Sequence, residues 1–124
     1  MTETPFEFDV LTRRGVPLQR FDPGERIFLE DDAGACLYVV RTGRVDVITF
    51  GRVLETVGPN GIFGEMALID DGARSAAAMA REPTEVAVID KTTFHALIRE
   101  EPEFALSIMR LLTERIRRLG RARR

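Results

Sequence analysis

Between positions 63 and 77 the chain reads Phe63-Gly64-Glu65-Met66-Ala67-Leu68, then Ile69-Asp70-Asp71-Gly72-Ala73, then Arg74-Ser75-Ala76-Ala77. Gly64 has no Cβ, so the main chain can approach a bound molecule closely and can adopt positive φ. Glu65 to Ile69 is a short apolar run sized for one or two helical turns, whose first N–H groups lack partners within the helix. Those donors and the positive end of the helix dipole attract an anion. Asp70-Asp71-Gly72 then breaks the run. Arg74 follows, a fixed positive charge with a planar donor fork suited to two phosphate oxygens. A carboxylate at Glu65 would repel that anion, so its expected partner is a hydroxyl donor such as a ribose 2′-OH. Taken together, these residues are suited to a sugar joined to a single anionic phosphate. Taken singly they have plainer uses. Arg74 also suits a surface pair with Asp70, Asp71 or Glu82, and Glu65 suits a helix N-terminus as an acid favoured by the dipole.

The segment resembles the phosphate-binding cassette of the cyclic nucleotide-binding domains, a family that includes bacterial catabolite activator proteins, kinase regulatory subunits and cyclic-nucleotide-gated channels. Its pattern, roughly F-G-E-(apolar)-A-L, a short loop, then R-(small)-A, is met by Phe63, Gly64, Glu65, Ala67, Leu68, Arg74, Ser75 and Ala76. Two further segments look like the family's early strand–turn–strand and its glycine hairpin: Phe21-Asp22-Pro23-Gly24-Glu25-Arg26-Ile27-Phe28 and Leu37-Tyr38-Val39-Val40-Arg41-Thr42-Gly43-Arg44-Val45. The resemblance covers about residues 17 to 119. It implies a stand-alone cyclic nucleotide sensor with a ligand site at Phe63, Gly64, Glu65, Met66, Ala67, Arg74, Ser75 and Ala76. The implied ligand is cyclic AMP, with cyclic GMP as the open alternative. At the position of Ser75 the family often has threonine with guanine selectivity and alanine with adenine, and serine does not choose between them. In the activators a longer last helix supplies the polar residues that cap the base; no such cap is legible here.

The elements that must position these residues are mostly strands. From Val16 to Asp90 short apolar runs are punctuated by Pro23-Gly24, Gly34, Gly43, Gly51, Gly58-Pro59-Asn60-Gly61 and Asp71-Gly72, which indicates β structure closed on itself. Val45 and Val47 alternate with Asp46 and Ile48, and Phe50-Gly51-Arg52 returns the chain to Val53–Val57 as a tight hairpin. Phe6, Phe8, Val10 and Leu11 suit a short N-terminal helix. The expected fold is mainly β with flanking helices: a double-stranded β-helix, or jelly roll, over about 16–90, with an N-terminal helix and two C-terminal helices over about 92–119. Thr92 or Thr93 would cap the first of these, over Phe94 to Arg99. Pro102 would open the second at a first helical position, and Gly120 would end it. Phe104, Ala105, Ile108, Leu111, Leu112, Ile116 and Leu119 recur at helical spacing and give it one apolar face.

With 124 residues, 44% of them hydrophobic and 31% charged, the chain is expected to form one globular domain. Positions 110–124 hold seven arginines against Glu114, a net +6, so with −2 overall the remainder carries −8. The Arg-rich end, 120–124, has three readings. It complements a helix dipole, it meets an acidic protein surface such as a second copy, or it draws weakly on phosphates of nucleic acid or membrane. The expected protein partner, or homodimer contact, lies on the last helix. The chain ends where an activator would continue into a helix-turn-helix domain, so sequence-specific DNA binding is not expected. The single cysteine, Cys36, reads as a small buried hydrophobe without a disulfide. His95 is the only imidazole, and no catalytic constellation or metal cluster is legible, so the expected role is a binder with no metal or cofactor. The acidic N-terminal residues lack the apolar stretch of a signal peptide, no run is long enough to span a membrane, and the expected compartment is the cytoplasm.

Overall fold

A computed structural model of the chain describes residues 7–70 and 72–122. Its elements are α1 (Asp9–Arg13), β1 (Leu18–Phe21), β2 (Arg26–Phe28), β3 (Cys36–Thr42), β4 (Val45–Thr49), β5 (Arg52–Val57), β6 (Ile62–Phe63), α2 (Glu65–Asp70), β7 (Ala77–Ala80), β8 (Thr84–Asp90), α3 (Lys91–Glu100) and α4 (Pro102–Ala122). The strands make two four-stranded antiparallel sheets, ordered β1-β8-β3-β6 and β2-β7-β4-β5. The chain crosses repeatedly from one sheet to the other, as expected of a jelly roll. The described residues divide into two compact units, one spanning Glu7–Lys91 and the other holding the helices from Thr92 onward.

The β unit encloses a core drawn from both sheets. Phe21, Val40, Phe63 and Val86 come from the first sheet, and Val45, Val57, Ala78 and Ala80 from the second. Alternation along β4 turns Val45 and Val47 to that core and Asp46 away from it. Asp46 is nonetheless covered, accepting a 2.8 Å bond from the Thr56 hydroxyl and facing Arg81 at 3.8 Å. The hairpin between β4 and β5 turns on two residues, Phe50 at φ 49° and Gly51 at φ 72°, as a type I′ turn requires. The turn between β1 and β2 is closed by Glu25, whose carboxylate accepts from Asp22 N at 2.8 Å, with Gly24 at φ 83°.

Four sequence expectations need correction or qualification. The short N-terminal helix forms at Asp9–Arg13, with Phe8 and Leu11 buried, while Phe6 lies outside the described residues. The first C-terminal helix begins at Lys91 rather than Phe94. Thr92 and Thr93 therefore sit inside its first turn, and Asp90 is the residue before it. Pro102 does open α4, but Gly120 does not end it, since the helix continues to Ala122. A glycine that terminates a helix does so by adopting positive φ, and Gly120 is not among the glycines that do. Asp71, Arg123, Arg124 and the side chains of Asp70, Leu119 and Arg121 lie outside the described residues.

Within the helical unit Phe94 meets Phe104 edge-on at 6.1 Å, and Leu97, Phe104 and Ile108 are buried. Leu106, Met109 and Ile116 lie exposed along α4. No helix among the described residues is long and apolar enough to cross a membrane.

Candidate functional site

The expected site is assembled from one very short strand, one short helix and one arginine. β6 is pinned to β3, with Tyr38 opposite Phe63 and Val39 opposite Ile62. Gly64 follows at φ 79°, a conformation that side chains resist. A Cβ there would stand 2.8 Å from Arg74 Nη1 and 3.3 Å from carbons of both Phe28 and Tyr38. The missing side chain is therefore the space through which Arg74 reaches the turn. Glu65 opens α2 and is fully buried, as are Ala67 and Leu68 nearly so, while Met66 on the opposite side is 50% exposed.

Arg74 is only 4% exposed. Its Nη1 donates to the Gly64 carbonyl at 2.6 Å and its Nη2 to the Cys36 carbonyl at 2.5 Å. The guanidinium carbon lies 4.1 Å from the centre of the Phe28 ring and 5.7 Å from that of Tyr38. Phe28, Tyr38 and Phe63 themselves cluster, with centroids 5.1 to 6.1 Å apart. Arg74 Nε is buried with no hydrogen-bond partner among the described residues. Among the described residues the partners of this charge are thus two neutral carbonyls, two aromatic faces and the Tyr38 phenol, which shares a side-chain hydrogen bond with it. A buried cation ordinarily requires an anion or a full set of acceptors, so the arrangement is electrostatically incomplete.

The main chain of Arg74 is fixed separately. Its N–H donates to Asp32 O and its carbonyl accepts from Asp31 N, both at 2.8 Å, and Ala33 pairs with Ala73 beside them. This brings the loop after β2 against α2, where Gly34 leaves no room: a Cβ would fall 2.2 Å from Ala67 Cβ. Burial pushes up the Cys36 thiol, with the Arg74 charge opposing and Asp90 reinforcing the shift. Burial likewise pushes up the Tyr38 phenol, aided by Cys36 and opposed by Arg74.

Of the sequence-derived residues, the structure bonds Arg74 to the Gly64 carbonyl and places Phe63 in the ring cluster with Phe28 and Tyr38, with Glu65 and Ala67 buried in the adjoining turn. Ala76 is buried, whereas the Ser75 and Met66 side chains are at the surface. Phe28, Tyr38, Gly34 and the Cys36 carbonyl were missed. A glycine among the small residues Ala33-Gly34-Ala35 hinted at close packing, but nothing in sequence tied Phe28 to Arg74. A separate open groove of about 370 Å³, lined by residues including Arg26, Leu29, Ile48, Phe50 and Met79, shares none of the expected site residues.

Comparison with known proteins places residues 18–101 within the family model described as the cyclic nucleotide-binding domain. The chain is 38% identical over 102 residues to the cyclic AMP receptor protein of Thermus thermophilus, covering 78% of this chain and 47% of that one. It is 32% identical over 110 residues to a cGMP-dependent protein kinase of Plasmodium berghei, covering 78% of this chain and 13% of the kinase. Its structure resembles the crystal structure of the Thermus thermophilus catabolite activator protein, with a TM-score of 0.79 and 35% identity over 90% of this chain and 55% of that one. The chain spans about half the length of the curated bacterial relative it matches.

Proposed function

We propose that this chain, which belongs to the cyclic nucleotide-binding domain family, works as a regulatory module that binds cyclic AMP, with cyclic GMP as the competing ligand. The observation that carries this is the burial of the Arg74 guanidinium against neutral carbonyls and aromatic faces. The phosphate completes that charge. It is held by Arg74 and by main-chain N–H groups of Gly64 to Met66, while Glu65 accepts a hydrogen bond from the ribose hydroxyl. Phe63 and Ala67 wall the site, and Ser75 and Ala76 flank the arginine. A carbonyl offers the buried cation only a dipole, whereas a phosphate oxygen adds the attraction of an opposite full charge in a site of low dielectric, which favours phosphate oxygens as partners for Arg74. The role is binding without turnover, and its output is a change in α3 and α4. The cyclic AMP receptor among its relatives favours cyclic AMP, and the cGMP-dependent kinase keeps cyclic GMP in contention.

Equilibrium competition among cyclic AMP, cyclic GMP and the open-chain 5′-monophosphates tests this reading. Saturable binding of a cyclic nucleotide, at about micromolar Kd or tighter, is the expected result. Absence of saturation by either cyclic nucleotide would overturn it. A second reading, a ligand-free interaction or dimerisation module, is favoured by the exposed apolar residues Leu106, Met109 and Ile116 on α4. Such a module would tolerate the loss of Arg74 and a nucleotide sensor would not.

A further inference from the structure

The feature left unexplained by the cassette is the placement of Phe28. Neighbouring residues of a regular strand face opposite sides, yet Ile27 and Phe28 both pack against the core. The cause is a register shift against β7, where Arg26 pairs with Met79 and Phe28 with the very next residue, Ala78. One extra residue on β2 makes a bulge, and a bulge re-aims the side chain that follows it. Here it aims the ring at the guanidinium of Arg74, 4.1 Å from its centre.

We infer that Phe28 is a positioning residue for nucleotide binding, acting through Arg74. This rests on the reading that Arg74 receives the ligand's phosphate. The two carbonyl bonds, to Gly64 and Cys36, fix Arg74 Nη1 and Nη2 along the edge of the guanidinium. They leave its plane free to tilt about that edge. The Phe28 ring closes this freedom from one face, and Tyr38, stacked on Phe28 at 5.9 Å and 30°, extends the platform. An aromatic face also attracts the cation through its quadrupole, which an aliphatic side chain of similar volume does not. The ring therefore keeps a buried charge in place before the phosphate arrives, and presents it already oriented when it does. Preorganisation of this kind appears as affinity, because the ordering of the arginine is not left to the binding step. The same site needs Gly64, since a Cβ there would press on both Phe28 and Arg74.

The test compares Phe28→Leu with Phe28→Tyr in the full chain, measuring Kd for cyclic AMP and cyclic GMP together with Tm. Leucine keeps the apolar contact and removes the π face; tyrosine keeps both. The expected result is a loss of about 3- to 30-fold in affinity for Phe28→Leu, the range of a partly to fully desolvated cation–π contact, with affinity recovered in Phe28→Tyr. Unchanged affinity in Phe28→Leu, or an equal loss in both variants, would overturn the inference while leaving the nucleotide site standing. No binding by the unaltered chain would overturn the nucleotide reading and this role with it. A ligand-free measurement guards against a variant that does not fold. In the unaltered chain the Arg74 Nε–H resonance, assigned by its disappearance in Arg74→Lys, should carry an upfield ring-current shift. A resonance at the position of a solvent-exposed arginine would overturn the inference without any variant at Phe28.

Discussion

Arg74 combines a full charge and near-complete burial with bonds to the Gly64 and Cys36 carbonyls and contacts with the Phe28 and Tyr38 rings. Gly64 makes that possible, and it should be the least replaceable residue of the turn. Gly64→Ala forces a Cβ into a left-handed conformation, at roughly 1–2 kcal/mol, and places it 2.8 Å from Arg74 Nη1. Both lower stability and weaker nucleotide binding are expected, read by thermal unfolding and titration of the same preparation. Tyr38 gives a pH test. Its phenol is raised above the ordinary 10.0 chiefly by burial, so the folded chain holds the proton to higher pH than the unfolded chain. The associated stability is complete below about pH 10 and is lost as pH rises through the native value. Since the chain has one tyrosine, phenolate absorbance reports it directly. The expected titration midpoint lies above 10.0 in the folded chain, and Tyr38→Phe should flatten the alkaline fall in stability. Gly64 and Arg74 were legible in sequence because the glycine, the acid and the arginine lie within eleven positions and each has a local reason to be there. Phe28 was not legible, because its role depends on a bulge and on a partner 46 positions away.

At the scale of elements, the strands and their turns were readable wherever glycine or alternation marks them. Phe50-Gly51 is the clearest case, a two-residue turn between β4 and β5 with both residues at positive φ. Phe50 is an unusual occupant, 90% exposed and bulky in a conformation suited to asparagine. Phe50→Asn should raise stability by roughly 1 kcal/mol, the strain of a bulky residue at positive φ, seen as a higher Tm with nucleotide binding unchanged. Helix ends were less legible. An exposed helical glycine is only about 1 kcal/mol worse than alanine, so Gly120 does not by itself stop a long amphipathic helix. Threonine likewise marks a helix start only where the chain enters from outside, and here β8 runs directly into α3 at Lys91.

The whole molecule consists of a β unit that holds the candidate site and a helical unit that carries the strongest positive charge. The family resemblance identified the architecture because its three motifs fall on β1–β2, β3–β4 and β6–α2, the segments that build the core and the site. It did not supply a base cap, and the two carbonyls that bond Arg74, those of Gly64 and Cys36, both lie in the β unit. If nucleotide binding is communicated to the helices, hydrogen exchange in α3 and α4 should slow or accelerate on addition of saturating cyclic nucleotide. Identical protection with and without ligand would remove the helices as the output while leaving binding intact.

Calorimetric titration of the chain and of Arg74→Ala with cyclic AMP and cyclic GMP, at two temperatures, tests the central claim most directly. Removing one member of a buried, charge-assisted pair is expected to weaken binding by about 2–5 kcal/mol, or about 1.5 to 3.5 decades in Kd, in a variant that still unfolds cooperatively. Binding by the unaltered chain that Arg74→Ala weakens by that margin is the expected result. Equal affinity in the two proteins, or no binding by either at both temperatures, would contradict it.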